Sequence, residues 1–182
     1  MTVVVLAVAD AARYKALMLH AYEHAADAFT TTAQERALEA DEWWVRRIAH
    51  PEGMTVAFGC FEADRLVGTV ALEFSAKPKT RHKALIVGMY VLASARGKGL
   101  ARALMQAAIG ACASRGDIRA VQLEVTEGNV PAIALYESLG FTAYGVEPLA
   151  VLTPGGFRSK VHMWLALPGP PCPVGNGCDA AL

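Results

Sequence analysis

The segment that most constrains the fold lies in the middle of the chain, where an apolar run passes through a glycine-containing loop into a long helix. The run Val87–Val91 has the composition of a buried strand, and residues 96–99 of the following loop read Arg-Gly-Lys-Gly. From Leu100 onward, apolar residues recur every three or four positions as far as Cys112, which predicts an amphipathic helix. The chain therefore has to accommodate a strand, a tight loop and a helix in direct succession.

This loop has the properties of an anion site. Glycine lets the backbone approach a ligand closely, and the first turn of a helix presents unpaired N–H groups at the positive end of its dipole. Arg96, Lys98 and Arg102 add positive charge beside it. These features predict a phosphate or pyrophosphate ligand. The alternative is a tight loop whose basic side chains are simply solvated.

Two nucleotide-binding loops do not fit the same residues. The phosphate-binding loop of nucleotide hydrolases needs GxxxxGK[ST], which the sequence lacks. The dinucleotide fingerprint GxGxxG is incomplete, because Arg102 stands where its third glycine would be.

The remaining periodicities predict a mixed α/β fold without internal repeats. The predicted strands are Val3–Val8, Met54–Phe61, Arg65–Phe74, Leu85–Leu92, Ile118–Thr126, Phe141–Val146 and Phe157–Leu167. The predicted helices are Ala11–His24 with Asp10 as N-cap, Thr32–Ala49, a third from Leu100 to about Ser114, and Val130–Leu139 with Asn129 as N-cap. Of the adjacent Trp43 and Trp44, one is expected to pack inward and the other to lie at the surface.

Composition restricts the class of protein. The 182 residues are 54% hydrophobic and 19% charged, which suits one globular domain over residues 1–167, with a Pro/Gly-rich flexible tail over 168–182. A net charge of zero without basic runs argues against nucleic-acid binding. The four cysteines have neither a disulfide pattern nor zinc-like spacing, so no metal is expected. The opening apolar run is too short to span a bilayer and lacks a basic flank, which predicts a cytoplasmic protein without membrane association.

Two segments together resemble a known family. Residues 96–101 match the motif Q/R-x-x-G-x-G/A of the GCN5-related N-acetyltransferase (GNAT) family, and residues 123–141 resemble its second characteristic block. The resemblance covers roughly Val3 to Leu167. It implies a mostly antiparallel central sheet of about seven strands, helices on both faces, and a V-shaped splay between strands 4 and 5, with Gly88 at a β-bulge.

The resemblance also implies a ligand, acetyl-CoA. In this family the loop amides grip the pyrophosphate, here those of Arg96, Gly97, Lys98, Gly99, Leu100 and Ala101. The preceding strand holds the pantetheine arm, which would place it on Met89 and Val91. Asn129 matches a residue that bonds the pantetheine, although capping the next helix is an equally good role for it.

For catalysis, the resemblance implies Tyr136 as the acid that protonates the leaving thiolate; the alternative is a buried aromatic that fills the core. An acceptor amine must first lose a proton, and residues 84–95 contain no acidic side chain to take it. Glu124 lies twelve residues before Tyr136 and is the candidate base, with a solvated or structural glutamate as the alternative.

The acceptor is expected at the first two helices and their connecting loop, where Glu23, Asp27 and Phe29 are the candidate contacts. A small-molecule or peptide amine fits, and peptide N-termini, lysines, amino acids, polyamines and aminoglycosides all stay open. The expected reaction is N-acetylation by direct attack in a ternary complex, by a monomer or a homodimer. The competing interpretation is a non-catalytic module that only binds acyl-CoA.

Overall fold

A seven-stranded sheet forms the centre of the molecule in a computed structural model that describes residues 2–169. Its strands are β1 (Val3–Val5), β2 (Thr55–Glu62), β3 (Arg65–Phe74), β4 (Lys83–Val91), β5 (Ala120–Thr126), β6 (Thr142–Thr153) and β7 (Gly156–Ala166). They lie in the order β1-β2-β3-β4-β5-β7-β6. All neighbouring pairs are antiparallel except β4 and β5, which are parallel. The predicted mixed, mostly antiparallel sheet is confirmed.

Helices cover both faces of this sheet, as predicted. They are α1 (Ala11–His24), α2 (Ala33–Ala37), α3 (Asp41–Ile48), α4 (Leu100–Arg115) and α5 (Val130–Ser138). On β4, the Tyr90 hydroxyl reaches His20 of α1 at 3.2 Å, while the side chain of Val91 meets Leu104 of α4 above Gly68. Since successive strand residues point to opposite faces, α1 and α4 lie on opposite sides of the sheet.

The parallel pair β4 and β5 separates soon after it forms. The two strands are paired at only three positions, of which Leu85↔Gln122 is the last, although β4 continues to Val91. Against β3, the register shifts so that β4 holds one extra residue, and Gly88 adopts φ 62° there. This β-bulge turns β4 away from β5, because an extra residue bends the strand that carries it. The predicted splay and the predicted bulge are both present.

The prediction of one continuous helix over residues 32–49 is wrong, because the structure has two separate helices there. Thr32 and Glu35 form the expected capping box, but α2 ends after five residues and α3 begins separately at Asp41. Ala33 of α2 and both Trp44 and Ile48 of α3 are buried. These positions also share one face of a continuous helix, so apolar periodicity runs through the break without revealing it.

Two strand ends differ as well. The first strand ends at Val5 rather than Val8, because the Asp10 carboxylate accepts a hydrogen bond from the backbone of Ala7 at 3.0 Å and turns the chain. Asp10 occupies the predicted N-cap position of α1, but its carboxylate bonds back to Ala7 and makes no capping bond to the helix. β6 continues past the predicted Val146 to Thr153 through an irregular register with Leu149 at φ 56°. All other bounds lie within two residues of prediction.

The core confirms several smaller expectations. Trp44 is buried while Trp43 is half-buried, and Cys60 and Cys112 are buried free thiols. Cys172, Cys178 and all but the first two residues of the predicted tail lie outside the described residues. Within residues 2–169, none of the helices has the length and apolar character needed to cross a membrane.

We expect Leu104→Ala to lower the free energy of unfolding by about 2–5 kcal/mol, because it leaves a cavity where α4 meets β3 and β4. Leu38→Ala is the matched control: Leu38 is 88% exposed, so the same truncation should change stability by no more than about 0.5 kcal/mol. Urea unfolding of both variants checks this. Similar losses in the two would contradict the placement of Leu104.

Candidate active site

The gap between β4 and β5 opens into a cleft of about 690 Å³. The described residues that line it come mainly from β4, β5, the end of α1 with the loop after it, the start of α4, and α5, and single residues of α2, α3 and β7 complete it. Beyond Leu85, β4 keeps its antiparallel partner β3 but has lost β5. Backbone groups on that edge therefore face the cleft, where an extended ligand can pair with them.

One end of the cleft is closed by the N-terminus of α4. Gly97 and Gly99 have φ 77° and 75°, a conformation that favours glycine, and Gly99 is the N-cap. The first bond that closes the helix runs from the Ala103 amide to the Gly99 carbonyl at 3.1 Å. The N–H groups of residues 100–102 consequently have no acceptor within the helix. They lie at the positive end of the α4 dipole, which favours the predicted phosphate group.

The basic side chains around this loop divide their roles. Arg96 lines the cleft, and its Nε donates to the Val91 carbonyl at 3.1 Å, which holds the loop against the end of β4. Lys98 pairs with Glu62 at 2.7 Å, and Arg102 donates to Ser138 of α5 at 2.9 Å. Lys98 and Arg102 therefore have protein partners as well as a place beside the loop, and their predicted contribution to an anion site stays a prediction.

Tyr136 lies in the cleft wall on α5 with only 7% of its surface exposed. Its ring packs 6.1 Å from that of Phe141, so the core role and the cleft role predicted as alternatives coexist. Burial raises the pKa of the Tyr136 phenol to about 12, because the buried environment disfavours the phenolate. The hydroxyl is a proton donor throughout the physiological range.

Glu124 also lines the cleft, on β5, where it lies directly across from His162 of β7. Its carboxylate is 3.7 Å from the Lys160 Nζ and 3.7 Å from the His162 Nδ1, and its side chain is 40% exposed. Lys160, only 8% exposed, also lines the cleft. Sequence reasoning missed this lysine, because strand alternation puts it on the polar face of β7, where a lysine is ordinarily solvated.

The other predicted contacts separate into two cavities. Asn129 and Phe29 line the main cleft, and the Asn129 Oδ1 also accepts from the Ala132 amide at 3.4 Å, so its capping role is real. Glu23 and Asp27 instead line an adjoining cavity of about 560 Å³. The Asp27 carbonyl accepts from the Thr126 hydroxyl at 2.6 Å, which ties this loop to β5. The two cavities share part of their lining, so these carboxylates lie next to the cleft.

Two arginines that sequence reasoning missed also reach the cleft. Arg36 of α2 and Arg47 of α3 line the end formed by the first three helices. Both guanidinium groups lie against the ring of Trp43, at 4.4 and 5.4 Å from its centroid. Basic residues on an amphipathic helix are ordinarily predicted to be solvated. On one continuous helix, Arg36 and Arg47 would lie about three turns apart, and the break between α2 and α3 brings them to the same ring.

Comparison with known proteins agrees with this geometry. Residues 18–141 match the family described as the acetyltransferase (GNAT) family. The chain is 27% identical over 124 residues to the L-amino acid N-acetyltransferase AaaT of Escherichia coli, a match that covers 68% of this chain and 75% of that protein. It is 36% identical over 126 residues to a mycothiol acetyltransferase of Thermomonospora curvata, covering 69% of this chain but 38% of that longer protein.

A solved structure shares the fold. The Salmonella typhimurium protein yncA, solved with its cofactor acetyl-CoA, superimposes with a TM-score of 0.76 over 100% of this chain and 99% of its own, at 22% identity.

Two glycine-to-alanine changes on the same helix test the strained loop. We expect Gly99→Ala to lower the free energy of unfolding by about 1–2 kcal/mol, because a Cβ is unfavourable at φ 75° even where the surroundings leave it room. Gly110→Ala, mid-helix with equally open surroundings, should raise it by about 0.5–1 kcal/mol. Urea unfolding measures both. Stabilisation by Gly99→Ala would contradict the left-handed N-cap.

Proposed function

Since the chain belongs to the acetyltransferase (GNAT) family and is an acetyl-CoA-dependent acetyltransferase, we propose that it acetylates a primary amine by direct attack within a complex that holds both substrates. The observation that carries this proposal is the cleft between β4 and β5. It has open helix N–H groups at one end, and both a protonated phenol and a carboxylate are among the residues that line it. A small-molecule or peptide amine is the acceptor, which the named activity of the Escherichia coli relative supports.

The coenzyme fits the cleft by its chemistry. The amides of Arg96, Gly97, Lys98, Gly99, Leu100 and Ala101 would receive the pyrophosphate at the start of α4. The backbone of Met89 and Val91 would pair with the pantetheine arm, since that edge of β4 has lost its partner strand. Asn129 lines the same cleft and would bond the arm's amide groups with the part of its side chain that does not cap α5.

The reaction needs two proton transfers. The neutral amine attacks the thioester carbonyl carbon, a C–N bond forms, and the C–S bond breaks as the tetrahedral intermediate collapses. The amine loses one proton on the way to the amide, and the departing thiolate takes one to become the free thiol. Glu124 is the acceptor for the first proton and Tyr136 the donor of the second, which it recovers from solvent.

The environment of Tyr136 suits a donor. A free thiol has a pKa near 8.5, so a phenol near 12 would hold its proton against a fully hydrated thiolate. Within the cleft both anions lack water, and the burial that raises the pKa of the phenol also raises that of the thiol. The difference between the two pKa values is therefore smaller than for a hydrated thiolate, and a hydrogen bond from the phenol would stabilise the developing negative charge on sulfur.

We expect Tyr136→Phe to lower kcat about 10²-fold with little change in the binding of coenzyme A, because phenylalanine keeps the packing and removes only the donor. The wild-type kcat should not fall between pH 8 and about 10, since burial holds the pKa of the phenol near 12. Thiol release across pH 6–10 measures both, with calorimetric titration of coenzyme A as the folding and binding control. Full kcat in Tyr136→Phe would end the general-acid assignment.

Glu124→Gln should lower kcat/KM about tenfold or more and alter its dependence on pH, because the amide keeps the shape but accepts no proton. Glu147→Gln is the matched control. Glu147 contacts the same His162, at 3.2 Å, yet its side chain is 54% exposed on β6 and is not among the residues that line the cleft. An unchanged pH profile in Glu124→Gln, or equal losses in the two variants, would remove Glu124 from the role of base.

A further inference from the structure

The charges that line the cleft limit what the acceptor can be. Among the described lining residues, the permanently charged cations are Arg36, Arg47, Arg96 and Lys160, and the carboxylate is Glu124. Arg96 lies at the coenzyme end, where phosphate groups account for a cation. Arg36 and Arg47 lie at the other end, among α1, α2 and α3, which coenzyme phosphates at α4 do not explain.

The two arginines have protein partners, yet Arg36 retains an unused donor. The Arg36 Nη1 pairs with Glu39 at 3.1 Å, while its Nε is shielded from solvent and has no hydrogen-bond partner in the described residues. Arg47 pairs with Glu73. Glu39 occupies one Arg36 nitrogen, but the Arg36 side chain is 29% exposed and lines the cleft, so a ligand carboxylate can approach the exposed part of the guanidinium group.

Both guanidinium groups are held rigidly. They lie on the ring of Trp43, whose centroid is 4.9 Å from that of Trp44 in an edge-to-face contact. Trp44 is fully buried, so the platform is anchored in the core. A planar guanidinium that is fixed in place before binding favours a bidentate contact with a carboxylate, because little side-chain freedom is left to lose.

The surroundings define a small pocket at this end. Tyr22 and Phe29 pack edge to face with centroids 4.9 Å apart, and both line the cleft beside Arg36. Burial raises the pKa of the Tyr22 phenol, which Arg36 and Arg47 partly offset. The Thr31 hydroxyl donates to Glu35 at 3.1 Å, which fixes the loop that closes the pocket. Apolar rings therefore flank the cationic groups.

We propose that the acceptor is a zwitterion, an amine that carries a carboxylate on the same small molecule, and that Arg36, supported by Arg47, binds this carboxylate. The inference rests on the proposed function and narrows its substrate class. The amine is then directed toward Glu124 and the thioester, while Tyr22 and Phe29 flank the remainder of the acceptor. Amino acids fit this description, whereas polyamines, aminoglycosides and simple alkylamines do not.

The test compares amino acids with their methyl esters as acceptors in the thiol-release assay. The ester has the lower amine pKa, so chemistry alone favours the ester at pH 7.5, and a preference for the free acid reports recognition of the carboxylate. We expect the free amino acid to have at least about a tenfold higher kcat/KM. A preference for esters, decarboxylated amines or polyamines would overturn the proposal.

Arg36→Gln should raise KM for the amino acid about 10- to 100-fold while leaving kcat, the kcat/KM for the ester and the KM for acetyl-CoA unchanged. Arg36→Lys keeps the positive charge but loses the planar guanidinium group. Its KM for the amino acid should therefore lie between those of wild type and Arg36→Gln. Arg46→Gln is the matched control, since Arg46 is exposed on the same helix as Arg47 and does not line the cleft. Equal losses with acid and ester in Arg36→Gln would assign Arg36 a structural role and overturn the proposal.

Failure of the proposed function is distinguishable from failure of this inference. Thiol release with amines but without preference for a carboxylate overturns the inference alone. If no amine releases thiol, the proposed function fails, and calorimetric titration of amino acids into the protein loaded with coenzyme A decides the inference. Binding to wild type and Arg46→Gln but not to Arg36→Gln would support the carboxylate site, and absence of binding to wild type would overturn it.

Discussion

Nearly every feature of the cleft depends on how briefly β4 and β5 are paired. Parallel strands ordinarily satisfy each other's backbone groups along their length, but here the pairing ends at Leu85 and Gln122 while both strands continue. The bulge at Gly88 produces this separation, and α1 packs so closely behind it that an added Cβ would lie 3.4 Å from the Tyr14 hydroxyl. The sheet is thus opened in its middle, and its unpaired edge becomes the binding surface.

The residues around that opening serve the fold and the site together. Asn129 caps α5 and lines the cleft, and Tyr136 packs against Phe141 and also lines the cleft. Arg96 holds the loop to the end of β4 and supplies charge at the same point. Side chains fixed by packing are already oriented when a ligand arrives, so little conformational freedom is lost on binding.

Much of the fold could be predicted, because its signals are local. The Gly-containing loop, the stripe of α4 and the alternation of β2 and β3 each follow from residues close together in the chain. The same holds for the site residues that lie within the two family motifs. The break between α2 and α3 could not be predicted, since its apolar positions share one face in either arrangement. The extension of β6 was missed because its irregular register interrupts the alternation that identifies a strand.

The contacts of the charged side chains around the cleft could not be predicted from residues close in the chain. Lys98 and Arg102 were predicted to add charge beside the loop. In the structure they also contact Glu62 and Ser138, respectively, each of which is 36 residues away in the chain. Glu23 and Asp27 were predicted to contact the acceptor. In the structure they line the cavity that adjoins the cleft.

By itself, the sequence determined the order of the strands, the positions of α1, α4 and α5, and the family to which the chain belongs, because periodicity and short motifs decide these. Only the tertiary structure decided which charged side chains face the cleft, and it brought Lys160, Arg36 and Arg47 there. A side chain's partners are set by the elements packed around it, and those come from distant parts of the chain.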